Sequence, residues 1–370
     1  MRGKWKVAAA CGISVVLVAA MAPAAAAAGG KGSTLEVLLD QGLSSPKGLA
    51  VTQDRDLAIG QGAFGAPGPA LVYDLRGKGA GSIYPVTDPT MPLNLIDVAV
   101  SPKDGTGWGI QAGENGGTLI HQLADGTIVD VLDIPAYQAT DPDPVDMDQP
   151  PFPEESNAYG LTVDRKGNAL VADAANNDLL RVTPDGKAVT VARFDVEMVA
   201  TDMLPPDLPF PLPDPLPAAI PAEAVPTTVT IGQDGYIYVG ELKGVPFRPG
   251  SSNIWRIKAD AKDATCSVTA PVNCTLYASG FTAIQDIAFG SGSKLYVYEL
   301  AKEGVFAFEG GLETGNVPPA VLLAVDKGKN GKRTELVKGQ LSQPGGVVVV
   351  NNVVYVTDNI FFGGRLSKIN

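Results

Sequence analysis

The stretch VPTTVTIGQDGYIYVGE, residues 225–241, holds two short runs of β-branched and aromatic residues around a Gly-Gln-Asp-Gly turn. Such runs are typical of β-strands, and the residues between them are typical of a tight turn. The same order of first strand, polar turn and second strand recurs along the chain. This hairpin is therefore the repeating unit of the sequence.

Six segments match the first strand of this unit. They are SPKGLAV (45–51), NLIDVAV (94–100), NAYGLTV (157–163), VPTTVTI (225–231), AIQDIAF (283–289) and QPGGVVV (343–349). A third strand follows in most copies, as in LLRVTPDG (179–186), NIWRIKAD (253–260) and RLSKIN (365–370). Six such units predict an all-β fold, a six-bladed β-propeller with four-stranded antiparallel blades. A pair of stacked sheets is the alternative, but it does not account for six copies.

The two ends of the chain predict how the ring closes. The last unit supplies three strands before Asn370, and STLEVLLDQGL (33–43) supplies one strand before the first complete unit. Pairing these segments would complete the last blade and remove two exposed strand edges. We therefore expect an N-terminal strand to complete the last blade.

The N-terminus predicts export. A basic start, MRGKWK, precedes an apolar run (7–22) and a small-residue segment, PAAAAAGG (23–30). This pattern predicts a signal peptide over residues 1–28, a secreted or extracytoplasmic protein, and a single propeller domain over 29–370. A retained membrane anchor is the alternative for this segment. No later run is long enough to span a bilayer, so we expect no membrane span after cleavage.

Charge and two insertions limit the partners. Cleavage would remove Arg2, Lys4 and Lys6 and take the net charge from −12 to −15. So negative a chain disfavours binding to nucleic acid. Residues 138–156 form an acidic, Pro-rich insertion and residues 202–226 a Pro-rich one, both expected as surface loops. A partner docking on 202–226 is the alternative to a loop lying on its own propeller. We otherwise expect a monomer.

Cysteine and histidine exclude several chemistries. Cys266 and Cys274 remain after cleavage, and in an exported chain a disulfide between them is favoured over a redox pair or a metal site. His121 is the only histidine and falls on an expected third strand. A catalytic triad would depend on that residue, and a histidine-rich zinc site cannot form.

Polar acceptors recur where second strands end. They are Gln61, Gln111, Asp173, Glu241, Glu299 and Asp358. In a propeller the second strand ends at the rim where the first strand begins, so Asp97 and Asp286, near first-strand starts, are expected at the same rim. The repeat therefore predicts an acidic face of the disc.

Two explanations compete for these side chains. The structural one is that each acceptor takes backbone N–H bonds from its own turn. The functional one is a site at the channel mouth. There, Asp97, Glu241, Asp286 and Glu299 would hold a cation, with Ca²⁺ as the candidate because it prefers several oxygen ligands. Gln61, Gln111, Asp173 and Asp358 would bind a small polar ligand.

Three segments carry a family resemblance. NAYGLTVDRKGNALVADAANNDLLRVTPDG (157–186), VPTTVTIGQDGYIYVGELKGVPFRPGSSNIWRI (225–257) and YASGFTAIQDIAFGSGSKLYVYEL (277–300) together resemble the ScyD/ScyE-type secreted proteins, whose name reflects association with scytonemin biosynthesis. YVGELKGVPFRPG (238–250) is the most specific part, and the similarity covers most of the mature chain. The resemblance implies an extracytoplasmic six-bladed propeller of the NHL type and implies no established reaction.

A more distant resemblance is to gluconolactonase/regucalcin-type propellers. That resemblance implies a divalent cation held by Glu, Asn and Asp side chains at first-strand starts. Only Asp97 and Asp286 are acids near matching positions here, so no catalytic residues are transferred. The sequence thus predicts a secreted binding or scaffold propeller, with an unidentified small ligand or protein partner. A metal-dependent extracytoplasmic hydrolase, lactonase-like, or a lyase is the alternative.

Overall fold

A computed structural model describes residues 32–113, 116–147, 151–205, 214–326 and 331–370. These residues form six antiparallel blades around an axis, which confirms the six-bladed β-propeller. The expected signal peptide, residues 1–28, lies outside the described residues, as do residues 148–150 and 206–213 of the two insertions.

The first strand, β1 (Leu35–Leu39), belongs to the last blade, and blades 1 to 3 follow it along the chain. Blade 1 contains β2 (Leu49–Val51), β3 (Leu57–Ile59), β4 (Leu71–Tyr73) and β5 (Ile83–Pro85). Blade 2 contains β6 (Leu95–Val100), β7 (Gly107–Gly113), β8 (Gly116–Gln122) and β9 (Ile128–Asp133). Blade 3 contains β10 (Ala158–Val163), β11 (Ala169–Asp173), β12 (Asp178–Val182) and β13 (Ala188–Phe194).

A separate hairpin, β14 (Glu197–Ala200) and β15 (Ala219–Ala222), precedes the last three blades. Blade 4 contains β16 (Pro226–Ile231), β17 (Ile237–Glu241), β18 (Ser252–Ile257) and β20 (Cys274–Phe281). The strand between β18 and β20 in the chain, β19 (Ala264–Cys266), does not belong to this blade. Blade 5 contains β21 (Ile284–Phe289), β22 (Leu295–Glu299), β23 (Val321–Val325) and β24 (Arg333–Leu336). Blade 6 contains β25 (Val347–Val350), β26 (Val353–Asp358) and β27 (Arg365–Ile369).

The ring closes as the two chain ends predict. β1 pairs antiparallel with β27, with Leu35 opposite Ile369, and so becomes the fourth strand of blade 6. Two backbone hydrogen bonds of 3.1 Å between Thr34 and Asn370 extend the ladder. Both segments thereby lose an unpaired edge.

A hydrophobic cluster fills each of the six contacts between neighbouring blades within the described residues. One pair from each contact, in ring order from blades 1 and 2, is Ala50 and Leu95, Ile110 and Val171, Leu170 and Val239, Tyr238 and Val297, Tyr298 and Val356, and Leu366 and Leu57. Because both faces of a blade are covered, central strands such as β11 and β17 are buried at every residue. This burial explains why their sequences read as nearly continuous apolar runs.

Blade 3 differs from the expected four strands. β19 comes from the connection between β18 and β20, and it pairs in parallel with β13 as a fifth strand. The disulfide between Cys266 and Cys274, with a Cα–Cα distance of 5.1 Å, ties β19 to the start of β20. The predicted disulfide is therefore confirmed, and it lies where blade 4 covers the outer edge of blade 3.

Two α-helices and two 3₁₀ turns interrupt the strands of the described chain. The 3₁₀ turns are Gly77–Gly79 and Ser291–Ser293; α1 is Ile134–Gln138 and α2 is Val305–Thr314. Asp133 caps α1 by accepting from the nitrogen of Ala136. Gly315, at a positive φ of 73°, ends α2. Neither helix is long and apolar enough to cross a membrane.

Candidate functional site

The first strand of each blade lies nearest the axis, and we call it the inner strand. The upper face of the disc is the side where inner strands start and second strands end. Pairing places Gln111 opposite Leu95, Asp173 opposite Ala158, Glu241 opposite Pro226 and Glu299 opposite Ile284. Gln61 and Asp358 follow or end the second strands of blades 1 and 6. The strand-end acceptors therefore share this face, as the repeat predicts.

Gln61 and Asp173 are buried and bonded to their surroundings. The Gln61 amide accepts from the nitrogen of Ser44 and donates to the carbonyl of Pro69. Asp173 accepts from the Asn157 nitrogen at 2.7 Å and from the Ser156 hydroxyl at 2.6 Å. Both acceptors therefore stabilise the loops beside their own strands. Gln111, which is half-buried, makes no side-chain hydrogen bond to the described residues.

Glu241 belongs to a buried ionic cluster. Its carboxylate accepts from the Asn253 nitrogen and the Trp255 indole, both at 2.9 Å. The Lys243 ammonium lies 2.7 Å from Glu241 and 3.5 Å from Glu197, and neither Lys243 nor Glu241 is exposed to solvent. Burial raises the pKa of Glu241, and the charge of Lys243 opposes that rise. This acid therefore has its counter-ion within its own blade.

Glu299 and Asp358 also hydrogen-bond to neighbouring residues of the structure. Glu299 accepts from the Thr282 nitrogen at 2.8 Å, and burial raises its pKa to about 7. Asp358 forms a bidentate ion pair with Arg365 on the adjacent strand of blade 6 and accepts from the nitrogen of Ser342. Each of these carboxylates therefore contacts its own set of donors.

Asp97 and Asp286 join neighbouring blades. In blade 2, Asp97 accepts from its neighbour Val98 and, at 2.8 Å, from the Leu161 nitrogen of blade 3. In blade 5, Asp286 accepts from the Thr228 hydroxyl of blade 4 and, at 2.7 Å, from the Val347 nitrogen of blade 6. The axial edges of inner strands have no further strand to pair with, so these carboxylates satisfy backbone donors that would otherwise lack a partner.

The fourth residue of each of the six first-strand segments lies against the next blade in the ring. These residues are Gly48, Asp97, Gly160, Thr228, Asp286 and Gly346. A Cβ on Gly160 would lie 2.7 Å from the Cα of Thr228, and one on Gly346 would lie 2.6 Å from the Cβ of Leu49. Glycine is thus needed where two backbones approach closely, and an acceptor is present where a backbone nitrogen needs one.

Three buried side chains from alternate blades, Lys47, Tyr159 and Gln285, cross the axis, and we call them the axial bar. The Lys47 ammonium of blade 1 donates to the backbone carbonyl of Tyr159 in blade 3 at 2.8 Å. The same ammonium lies 3.9 Å from the centroid of the Tyr159 ring. The Tyr159 hydroxyl donates to Gln285 of blade 5 at 3.0 Å. These contacts join blades that are not neighbours, so they run across the channel.

Lys47 also compensates the two acids of the inner strands. Burial raises the pKa of Asp97 to about 7, and the positive charge of Lys47 opposes this rise. Burial likewise raises the pKa of Asp286, with Lys47 again among the opposing influences. The sequence analysis did not identify this residue, although Lys47 is the only basic side chain at its aligned position in the six copies.

An apolar cap, formed by Leu242, Leu300, Val305, Phe308 and Phe361, lies at this mouth beside Tyr159. Helix α2 supplies Val305 and Phe308. A cavity of about 30 Å³ remains between the cap and Gln285, roughly the room of one water molecule. The mouth therefore differs from the expected acidic entrance, because a lysine and apolar side chains occupy it.

The predicted metal ligands do not fit a calcium ion. Among the described residues, no three His, Cys, Asp or Glu side chains come close enough together to hold a metal. Glu241 is paired with Lys243, Glu299 is bonded to Thr282, and Asp97 and Asp286 contact different neighbouring blades. Six to eight converging oxygens would be required.

Comparisons with known proteins agree with the architecture. No protein-family model and no curated protein matches the sequence. A gluconolactonase from Xanthomonas campestris is 13% identical, with a TM-score of 0.54, and the match covers 91% of this chain and 89% of that one. A glucose dehydrogenase is 15% identical, with a TM-score of 0.55 and coverage of 91% and 99%. The PQQ-bound aldose sugar dehydrogenase from Streptomyces coelicolor is 12% identical, with a TM-score of 0.50 and coverage of 91% and 98%. At these identities the likeness shows the six-bladed propeller fold alone.

Proposed function

We propose that this chain is a secreted propeller that acts as a binding or scaffold module. Its resemblance to the ScyD/ScyE-type proteins supports the extracytoplasmic location only. One observation carries the proposal: five of the six strand-end acceptors, and both acids of the inner strands, are bonded to backbone or to a counter-ion. Groups that act in catalysis or hold a metal must instead have bonding capacity directed toward a ligand.

The axial bar and the apolar cap support the same function. Lys47, Tyr159 and Gln285 hydrogen-bond across the channel, and α2 packs at its upper mouth. A substrate could reach the axis from this face only if those contacts were broken. An arrangement of this kind favours a rigid disc whose loops and outer surfaces make the contacts with other molecules.

Export is part of the proposal. The basic and apolar pattern of residues 1–28 supports a cleaved signal peptide, and the Cys266–Cys274 disulfide is consistent with an oxidising compartment. Expression of the full chain followed by measurement of the intact mass of the exported protein tests this part. A mass that begins near Gly29 is expected, and an uncleaved chain retained in the membrane would contradict it.

A lactonase-like or lyase activity is the alternative function, and turnover tests it directly. The exported protein is incubated with δ-gluconolactone in the presence of Ca²⁺, Mg²⁺ or Zn²⁺. The proposal expects hydrolysis at the rate of buffer alone. Hydrolysis that EDTA abolishes and that Asp97→Asn lowers would overturn it and would establish a metal centre at the axis.

A further inference from the structure

A cleft of about 530 Å³ opens on the lower face of the disc between blades 4 and 5. This face is the one where inner strands end, opposite the strand-end acceptors. The turn 232–235 of blade 4 forms one wall, Thr275 and Tyr277 at the start of β20 form another, and Phe289 and Ser293 of blade 5 form the third. The volume lies in the range of sites that hold small molecules.

Aromatic rings form the back of this cleft. Tyr238 contacts Tyr277 edge-on, with ring centroids 4.9 Å apart, and Phe289 in the same manner at 4.7 Å. Tyr238 is buried, whereas Tyr277 and Phe289 are half-buried and keep part of each ring accessible. A Cβ on Gly232 would lie 2.5 Å from the Tyr238 ring, so the turn must carry glycine for this ring to pack here. The aromatic wall is therefore held in place by the packing of blade 4 and by its contact with Phe289 of blade 5.

A charge-neutral polar group lies beside the rings. The Arg256 guanidinium is 2.8 Å from the Asp234 carboxylate and stacks over Tyr236, 3.2 Å from that ring's centroid. The Tyr238 hydroxyl donates to Asp234 at 2.9 Å. Because acid and base neutralise each other, the cleft offers acceptors and donors without a net charge.

These properties define the ligand. A charged molecule would meet a pair whose charges are already balanced. A purely apolar molecule would displace water from the polar edges of Asp234, Arg256, Thr275 and Ser293 without offering hydrogen bonds in return. A saccharide ring presents an apolar C–H face to an aromatic ring and hydroxyl groups that both donate and accept at its edge. We propose that this cleft binds a neutral saccharide of one or two rings, an inference that rests on the proposed role as a binding module.

Titration calorimetry of the exported protein with maltose, cellobiose and N,N′-diacetylchitobiose tests the proposal. At least one of these disaccharides should bind saturably. Tyr277→Ala should weaken that binding by about tenfold or more, because an aromatic contact at the centre of a small site contributes a large share of its affinity. Thr275→Trp should abolish binding by filling the cleft while leaving the packed residues of the blade in place.

Tyr84→Ala is the matched control, since Tyr84 is an exposed tyrosine of blade 1, 44% accessible and far from the cleft in the ring. The affinity of this variant should equal that of the unmodified chain. The melting temperature of every variant is measured as well, so that a loss of binding can be distinguished from a loss of folding. Absence of binding by all three disaccharides overturns the proposal, as does binding that survives both Tyr277→Ala and Thr275→Trp. Neither result bears on the proposed function as a binding module. That function would be contradicted by metal-dependent turnover at the opposite face.

Discussion

The Asp97 carboxylate of blade 2 accepts a hydrogen bond of 2.8 Å from the backbone nitrogen of Leu161 in blade 3. Asp286 of blade 5 holds Val347 of blade 6 in the same way at 2.7 Å. Two acids that could have marked a ligand site thus join the inner strands of neighbouring blades. The closure of the ring depends on such contacts as well as on the hydrophobic clusters between blades.

Removal of one of these contacts should destabilise the ring. Asp286 accepts through both oxygens, from Thr228 and Ile287 on one and from Val347 on the other. Asp286→Asn keeps the shape but replaces one acceptor with a donor, so the free energy of unfolding in urea should fall by about 1–3 kcal/mol. Asp185→Asn, in an exposed pair with Lys187, should leave it nearly unchanged, because solvent screens an exposed pair. Equal effects of the two substitutions would contradict the inter-blade role of Asp286.

Stability should fall as the pH rises through neutrality. Burial raises the pKa of Glu299 to about 7, so the folded chain keeps this proton at a pH where the unfolded chain has lost it. The stabilisation is complete below about pH 4 and is lost as the pH rises through about 7. Asp97, with its pKa likewise raised to about 7, contributes in the same direction. The melting temperature should therefore be higher at pH 5 than at pH 8.

Glu299→Gln separates this effect from other titrations. The amide can still accept from Thr282 but cannot ionise, so the loss of unfolding free energy between pH 5 and pH 8 should shrink by on the order of 2 kcal/mol. Glu303→Gln, an exposed acid of the same blade, should keep the pH dependence of the unmodified chain. An unchanged pH dependence in Glu299→Gln would contradict the raised pKa.

The buried cluster around Lys243 offers a third prediction. Lys243→Met removes the counter-ion 2.7 Å from Glu241 and leaves a buried carboxylate without charge compensation. The unfolding free energy should fall by about 3–5 kcal/mol. The double variant Lys243→Met with Glu241→Gln should recover part of that loss, since no isolated charge then remains. Chemical denaturation of the two variants measures the difference, and a double variant less stable than Lys243→Met would refute this explanation.

The disulfide should stabilise the junction of blades 3 and 4. Cys266 and Cys274 are eight positions apart, and closing a loop of this length lowers the entropy of the unfolded chain. Replacing both with alanine should lower the unfolding free energy by about 2–3 kcal/mol. A double variant as stable as the unmodified chain would show that β19 holds its place on blade 3 without the disulfide.

The repeat could be predicted from the sequence because each blade encodes its own hairpin. Hydrophobic runs and Gly, Asp and Asn turns mark the strands locally, and six copies constrain the arrangement to a ring. β19 was not predicted as part of blade 3, because the pairing of Phe194 with Cys266 joins segments far apart in the chain. Helix α2 was also missed: it is short, and Gly310 and Gly311 weaken its helical pattern.

The candidate site was predicted only as a set of positions. Recurrence along the repeat gave the face on which Asp173, Glu241 and Glu299 lie, since strand register is a local property. Their hydrogen-bond partners depend on side chains from other elements, such as Gln138 of α1 for Asp173. Lys47 crossing the axis to Tyr159 is a relationship between alternate blades. A contact between alternate blades leaves no periodic pattern in the sequence from which it could be predicted.

Thermal unfolding of the purified protein in Ca²⁺ and in EDTA is the most direct test of the claim that the acids of the upper face are structural. A cation bound only by the folded state would raise the melting temperature in proportion to the logarithm of its concentration. The same melting temperature is expected in millimolar Ca²⁺ and in EDTA, for the unmodified chain and for Asp97→Asn alike. A melting temperature that rises with Ca²⁺ in the unmodified chain, and does not rise in Asp97→Asn, would contradict that claim.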